Sequence, residues 1–341
     1  MDNLTHTLTG IALAQTGLKR KTRFAMWALI IGSNLPDVDV AAGFSGRAAY
    51  LKYHRGITHS LVGLTALAAI LAPLIYSFGR RAAPKKNAPP LSLKWLLIIC
   101  WISTACHVLM DYTNQYGIRP FLPFSGRWLA LDIVPIVDPY LLILLFLGLG
   151  IPGVLQLASE EVGAKKHASG GAIRAGAIVS LCGILAVWGL RELAHHRATS
   201  MLAEHDYGQE SPSRVGAFPS PVNPFDWTGV VETRSSYYLL PVRVLGDGVD
   251  AADAEPLRKP EPSKALTAAQ HAYTAEIFLH FARFPWAMVL ATEDGFTVYI
   301  RDLRFASLNS SNWGFVEEVQ LDRSLRIRRQ SFSFFRASPK E

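Results

Sequence analysis

Apolar and polar positions divide the chain into two textures. Through the first 193 residues, apolar runs at 4–18, 24–35, 60–78, 93–112, 133–157 and 173–193 are separated by short polar loops. Runs of this composition read as membrane helices, because a helix needs roughly 20 apolar residues to cross a bilayer core. The first two are shorter than that, so they are expected either as arms of a helical hairpin or as spans extended by their polar ends. After residue 207 the pattern changes. Residues 208–226 are rich in Ser, Pro and Gly, whereas 230–245 and 286–305 carry the Val, Tyr, Phe and Thr alternation of strands. Residues 247–264 read as a charged linker, 267–284 as a helix and 314–335 as a strand hairpin. The expected fold class is an α-helical multi-pass membrane domain over residues 1–198, a linker over 199–225, and a small α+β extracytoplasmic domain over 226–341.

Charge sharpens this division. The chain carries 34 Lys and Arg against 27 Asp and Glu. Residues 1–199 hold 19 basic against 9 acidic side chains, while the remainder holds 15 against 18. The excess therefore belongs to the apolar half, where it reports membrane orientation and gives no reason to expect nucleic acid. KRKTR at 19–23, the connector at 80–94 and the loop at 159–174 carry 12 Lys and Arg; the alternate loops 36–58 and 113–132 carry 5. The basic loops are expected to be cytoplasmic, which sends the alternate loops and the chain after residue 193 to the other face. The acidic Met1-Asp2-Asn3 opening argues against a cleavable signal, so the apolar segments are expected to direct their own insertion. Cys100, Cys106 and Cys182 lie in apolar runs without CxxC spacing and read as small buried hydrophobes.

The polar residues that apolar packing does not explain gather at the loops opposite the basic ones. HRGITHS at 54–60 places His54, Arg55, Thr58 and His59 at the mouth of an apolar run. PDVD supplies Asp37 and Asp39, THT supplies His6, and HVLMD supplies His107 and Asp111; Asp132 and Asp138 flank the start of another run. His107 and Asp111, four apart on one helix, project from the same face and can share an ion; Asp2 and His6 have the same spacing. His54 and His59, five apart, fit one loop and one first helical turn. Imidazole and carboxylate together suit zinc, and also manganese or iron. Each position has an ordinary alternative: His6 as a surface or capping residue, Asp37 and Asp39 as helix caps, and His107 in a helix–helix hydrogen bond. Arg55 and Thr58 fit a supporting or anion-binding role, with Arg119 a second anion contact. His195, His196, His205, His271 and His280 read as solvated or locally packed and His167 as part of a cytoplasmic loop, with Arg191 in the basic exit from the last span.

THTLTGIALA, NLPDVD, HRGITHS, HVLMDYTNQYG and IVDP together resemble the YdjM-type family, described as inner-membrane, metal-dependent hydrolases of bacteria, over about residues 1–160. That family is more distantly similar to zinc-dependent phospholipase C. The resemblance implies His6, Asp37, His54, His59, His107 and Asp111 as metal ligands, for roughly one to three zinc ions with manganese an alternative. The soluble enzymes use HxxxE where this chain has HxxxD, and their amino-terminal ligand is not expected here. The activity so implied is hydrolysis of a phosphoester, a lipid headgroup or a lipid-linked phosphate, by a metal-activated water. Asp39 or Asp132 would take its proton and Arg55 would hold the anion. The expected location is the bacterial inner membrane, with membrane lipid as partner. The competing expectation is a non-catalytic membrane protein that binds metal or recruits a partner.

Overall fold

The computed structural model describes residues 1–84, 86–161, 169–208, 210–250, 255–306 and 313–334. Lys85, Lys165, Lys166 and His167 of the basic loops lie outside the described residues. The chain divides into two compact units, one of residues 1–39 and 55–192, the other of residues 40–54 and 193–341. The fold is a helical region followed by an α/β region with two antiparallel sheets.

In the first unit, α1 (Asn3–Gln15) and α2 (Ala25–Gly32) are short, α4 (Leu61–Arg81) and α5 (Leu93–Thr113) long, and α6 (Pro139–Glu161) follows a loop. A further helix, α3 (Arg47–Tyr53), belongs to the second unit, and α7 (Ser169–Glu204) contributes to both. Among the described residues, α4, α5 and the Gly171–Glu204 part of α7 are long and apolar enough to cross a membrane; the apolar stretch Pro139–Leu155 of α6 is shorter. At 1.5 Å per residue, α1 and α2 reach only about 20 and 12 Å, well short of a bilayer core. They pack instead on the long pair: Ala14, Ala25, Ala28 and Leu29 bury with Leu71, Ala72, Leu96 and Ile99.

Local chemistry sets where these helices begin. Asp2 caps α1, accepting from the Thr5 amide at 2.9 Å and the Thr5 hydroxyl at 2.6 Å, so Asp2 is committed as a cap. Ser60 caps α4 by accepting from the Gly63 amide at 2.9 Å. Gly63 is required there, because a Cβ would overlap the Ile57 carbonyl oxygen. At the far end of α4, Arg23 donates to the carbonyls of Gly79 and Ala82 at 2.8 and 3.2 Å, and the Ser92 amide donates to Thr22. The KRKTR turn and the end of α4 therefore lie together, away from the HRGITHS end.

Two polar residues expected in loops are deeply buried. Asp138 accepts from the Tyr140 and Leu141 amides, capping α6, and its other oxygen meets Arg191 Nη2 at 3.0 Å. Arg191 has no exposed surface, which corrects its reading as part of a basic exit; its pairing with Asp138 is what makes that burial tolerable. Asp138 is thereby accounted for without a metal.

The second unit begins within α7. That helix runs on to Glu204, past the expected end at 193, since nothing in HHRATSMLAE breaks it. Ala194, Ala198 and Leu202 bury against Trp227, Leu240 and Val242. One sheet has the order β1 (Arg214–Pro219), β2 (Asp226–Glu232), β3 (Ser236–Arg243), β4 (Gly248–Val249), with β5 (Leu257–Arg258) also on β3. β1 occupies the stretch expected as linker: its Ser, Pro and Gly content hides an edge strand paired with β2 from Arg214↔Glu232 to Pro219↔Trp227. The expected helix at 267–284 is two, α8 (Lys264–Gln270) and α9 (Tyr273–Phe281), separated where Ala272 turns extended. The second sheet is the meander β6 (Pro285–Thr292), β7 (Gly295–Asp302), β8 (Val316–Asp322) and β9 (Ile327–Ser333), the last two forming the expected hairpin. α9 packs on β8 and β9 through Phe278, which is fully buried.

Two predictions follow from buried charge. Arg191→Leu leaves Asp138 uncompensated and should destabilise the protein by about 3–5 kcal/mol, while Asp138→Asn in the same chain should recover much of that loss in detergent unfolding. Glu317, fully buried on β8, has its carboxyl pushed up from 4.5 to about 7 by burial, with the Thr274 hydroxyl bond opposing and Glu318 adding to it. A raised folded-state value means its stabilising contribution is complete below about pH 4.5 and lost as pH rises through about 7. Glu317→Gln should therefore stabilise the chain above pH 7, by at most about 3 kcal/mol, and change little near pH 4, as read by denaturation at the two pH values.

Candidate metal centre

Residues of the first unit from four stretches meet at the HRGITHS end. α1 supplies His6, and an 11-residue 3-10 stretch, Leu35–Ser45, supplies Asp37 and Asp39. The turn Ile57–His59 supplies His59, and the last turns of α5 supply His107 and Asp111. The THT and NLPD motifs are stitched together by Asn34, which donates to Thr7 Oγ1 at 3.0 Å and to the Ile30 carbonyl at 2.9 Å. Gly32 lets α2 approach α5, since a Cβ there would strike Ser103.

Asp37, His59, His107 and Asp111 are all buried and can each turn one ligand atom to a common point. His59 Nε2 lies 3.1 Å from His107 Nε2, 3.4 Å from Asp37 Oδ1 and 3.2 Å from Asp111 Oδ2. His107 Nε2 lies 3.5 Å from Asp37 Oδ1 and 3.6 Å from Asp111 Oδ2. Ligands at about 2.0–2.2 Å around a tetrahedral ion stand roughly 3.3–3.6 Å apart, so these spacings fit one zinc-sized cation.

The outer nitrogens of both rings say which atoms face inward. His107 Nδ1 is 2.7 Å from the Ser33 carbonyl, which only accepts, so Nδ1 carries the proton. His59 Nδ1 is 3.2 Å from Asp39 Oδ2, a carboxylate oxygen that also accepts from the Thr58 hydroxyl at 2.6 Å and the Arg55 amide at 2.9 Å. Each Nε2 then presents a lone pair unless its ring takes a second proton. Two such nitrogens beside two carboxylates call for positive charge among them. Burial alone would raise the Asp37 carboxyl, but the imidazoles of His107 and His59 outweigh it and hold Asp37 well below the usual carboxylate range.

Asp111 also faces the other way. Its Oδ1 is ion-paired with the Met1 amino group, 3.0 Å from Arg55 Nη2 and 3.3 Å from His6 Nε2. The His6 ring stacks on His107 at 3.8 Å, and neither of its nitrogens makes a hydrogen bond; Asp111 Oδ2 makes none either. Such buried, unsatisfied donors and acceptors are what a metal would resolve. Arg55 adopts φ 53°, a strained conformation for a residue with a side chain, and its Nη1 donates to Asn114 Oδ1 at 2.8 Å while its guanidinium lies over Tyr116. It is thus built into the cluster's wall.

The six expected ligands separate accordingly. His6, Asp37, His59, His107 and Asp111 are brought together, and Asp39 stands behind His59. His54 ends α3 with its ring stacked on Tyr50 at 4.6 Å, and its ligand atom also falls within reach of those of Asp37 and Asp39. Asp132, in a left-handed backbone conformation on the loop before α6, is outside the Asp37, His59, His107 and Asp111 group. Arg119 is held over Trp128 at 4.6 Å. The Ser33 carbonyl was not anticipated, since a backbone acceptor leaves no mark in side-chain patterns, and the Met1 amino group, not expected at the site from the sequence, pairs with Asp111.

Residues 1–194, more than half of the chain, match the family described as YdjM inner membrane protein. The chain belongs to the YdjM family. With its three candidate spans, this makes it a membrane protein. Residues 264–338 match the YfhP C-terminal alpha/beta plait domain, the segment that here forms α8, α9 and the second sheet. The chain is similar to the uncharacterized protein YfhP of Bacillus subtilis (strain 168), at 30% identity over 151 residues. That alignment covers 42% of this chain and 43% of the relative, so the chain spans under half the length of the curated relative it matches. No solved structure matches it.

Removing a ligand and removing its support should differ. Protein purified in detergent without chelators should carry zinc or manganese by elemental analysis, and His59→Ala or Asp111→Ala should lose it. Asp39→Asn, which keeps every ligand but weakens the hold on His59 Nδ1, should still load and bind about 10–100-fold more weakly in competition with a chromophoric chelator.

Proposed function

We propose that this YdjM-family chain is a metal-dependent hydrolase that cleaves a phosphoester of a lipid headgroup or lipid-linked phosphate at the membrane surface. The observation that carries the reading is the pair of imidazoles whose Nδ1 atoms are pinned from behind, leaving both Nε2 atoms and two carboxylates converging within 3.6 Å of their neighbours. A divalent metal bound there, zinc or manganese, would supply Lewis acidity and a water of lowered pKa. His59, His107, Asp37 and Asp111 would hold it, with His6 beside Asp111. Asp39 stands behind His59 Nδ1 and is better suited to fixing its tautomer than to proton transfer, its Oδ2 already accepting from the Thr58 hydroxyl and the Arg55 amide. Arg55 offsets the Asp111 charge and so acts as a positioning residue, not as the anion holder expected from sequence.

Location supports the substrate class. The cluster lies where α4 begins and α5 ends, and the basic KRKTR turn lies at the other end of the same pair. By the positive-inside rule the cluster end and the chain beyond α7 belong outside the cytoplasm, where lipid headgroups meet water. A second reading, a non-catalytic metal staple, is favoured by one feature: four protein ligands close a tetrahedral shell, as structural zinc sites do, and His59 and Asp111 have no exposed surface.

Turnover separates the two. Metal-loaded protein in nanodiscs should release phosphate-bearing headgroup from phospholipid, or nitrophenol from an activated phosphodiester, and His59→Ala should abolish it. Stoichiometric metal with no turnover of either substrate would establish the staple and sink the hydrolase.

A further inference from the structure

The cluster's supporting loop leaves the first unit and comes back. Asp39 is the last residue of that unit before the excursion, and Arg55 is the first after it; residues 40–54 between them pack with the second unit. Both ends of the excursion carry the network behind the metal ligands, since the Arg55 amide and the Thr58 hydroxyl both donate to Asp39, which in turn meets His59 Nδ1.

Within the second unit the excursion is anchored at its helix. α3 packs on α9 and β9 of the plait domain. The Tyr50 ring meets Phe334 edge-on at 5.6 Å and stacks on His54 at 4.6 Å. Arg47 Nη1 donates to Ser333 Oγ at 3.2 Å, and Lys52 Nζ lies 5.5 Å over the Tyr273 ring. These are aromatic and polar contacts of the kind that fix one short helix in place; a seven-residue helix has little stability of its own.

We infer that the plait domain tightens the metal centre through this strap: by holding α3, it fixes the separation of Asp39 and Arg55 and so the orientation of His59, with Tyr50 as the principal positioning residue. Tyr50 stacks on His54 and is not itself one of Asp37, His59, His107 and Asp111, so loosening it changes how firmly a metal is held by those four without removing any of them. The inference builds on the metal reading above, and it assigns a task to the plait domain that the plait match itself does not supply.

Two readouts test it, one independent of metal. In chelator-treated full-length protein in detergent, Tyr50→Ala should raise hydrogen–deuterium exchange across residues 54–60 by tenfold or more, with α4 and α5 unchanged, while Tyr50→Phe, which keeps the ring, should match wild type. In zinc-loaded protein, Tyr50→Ala should surrender zinc to a chelator at least tenfold faster at unchanged initial stoichiometry. Arg47→Ala, an exposed change with little risk to folding, should move both readouts the same way by a smaller factor. Unchanged exchange and unchanged zinc loss in both Tyr50→Ala and Arg47→Ala would overturn the strap while leaving the metal site standing. Raised exchange in a protein that binds no zinc would keep the strap and overturn the metal reading.

Discussion

Two imidazole nitrogens stand 3.1 Å apart in a buried space with a carboxylate on either side, and much of the first unit is arranged to keep them so. Bare lone pairs at that separation repel, and the low polarity around them enlarges the repulsion. The rings cannot rotate away, because each is tied at its other nitrogen, His107 to the Ser33 carbonyl and His59 to Asp39. The end of α2, the 3-10 stretch after it, the turn before α4 and the end of α5 therefore have to be placed together. Gly32 and Gly63 are where that placement presses backbone or side chain closest. The arrangement makes sense as a site prepared for a cation.

Charge balance explains the next layer. Asp111 turns one oxygen to the imidazole pair and the other to the Met1 amino group, His6 and Arg55. Arg55 reaches it from a strained backbone, and the strain is held by a network that includes Asn114, Tyr116 and the Asp39 carboxylate. Such strain persists only where the surroundings over-determine it. Elsewhere in the same unit the Asp138 and Arg191 pair solves a simpler problem, an ionic contact between the start of α6 and the late part of α7. One buried charge system is balanced by a single ion pair, and the other gathers imidazoles and carboxylates that could hold a metal ion.

The legible part of the sequence was the part that side-chain type encodes. His107 and Asp111 at helical spacing, PDVD after a proline and HRGITHS before an apolar run each expose their chemistry in one dimension, and the helices carry them to one place. Arg191 was misread because a charge near the end of a span looks like a membrane-surface residue until its partner 53 positions away is known. β1 was hidden because an edge strand tolerates the Gly and Pro that mark linkers, and the division of α8 from α9 has no Gly or Pro to announce it. Ser33 acts through its carbonyl, which every residue has.

The four converging ligands are not equally free to move, and that bears on what the site can do. His107 and Asp111 sit on a 21-residue helix that packs against α2 and α4, and His59 is pinned by Asp39 immediately before α4 begins. Asp37 stands on an 11-residue 3-10 stretch, a geometry whose hydrogen bonds are weaker than those of an α-helix and which seldom runs so long. It also retains 8% of its surface exposed, where His59 and Asp111 retain none. Were all four to hold one ion, substrate could reach it only by adding a ligand or displacing one, and Asp37, on the 3-10 stretch, is the most exposed of the four. Catalysis at this centre would therefore open on the Asp37 side, and a site in which Asp37 proved as rigid as His107 would have to work as a staple.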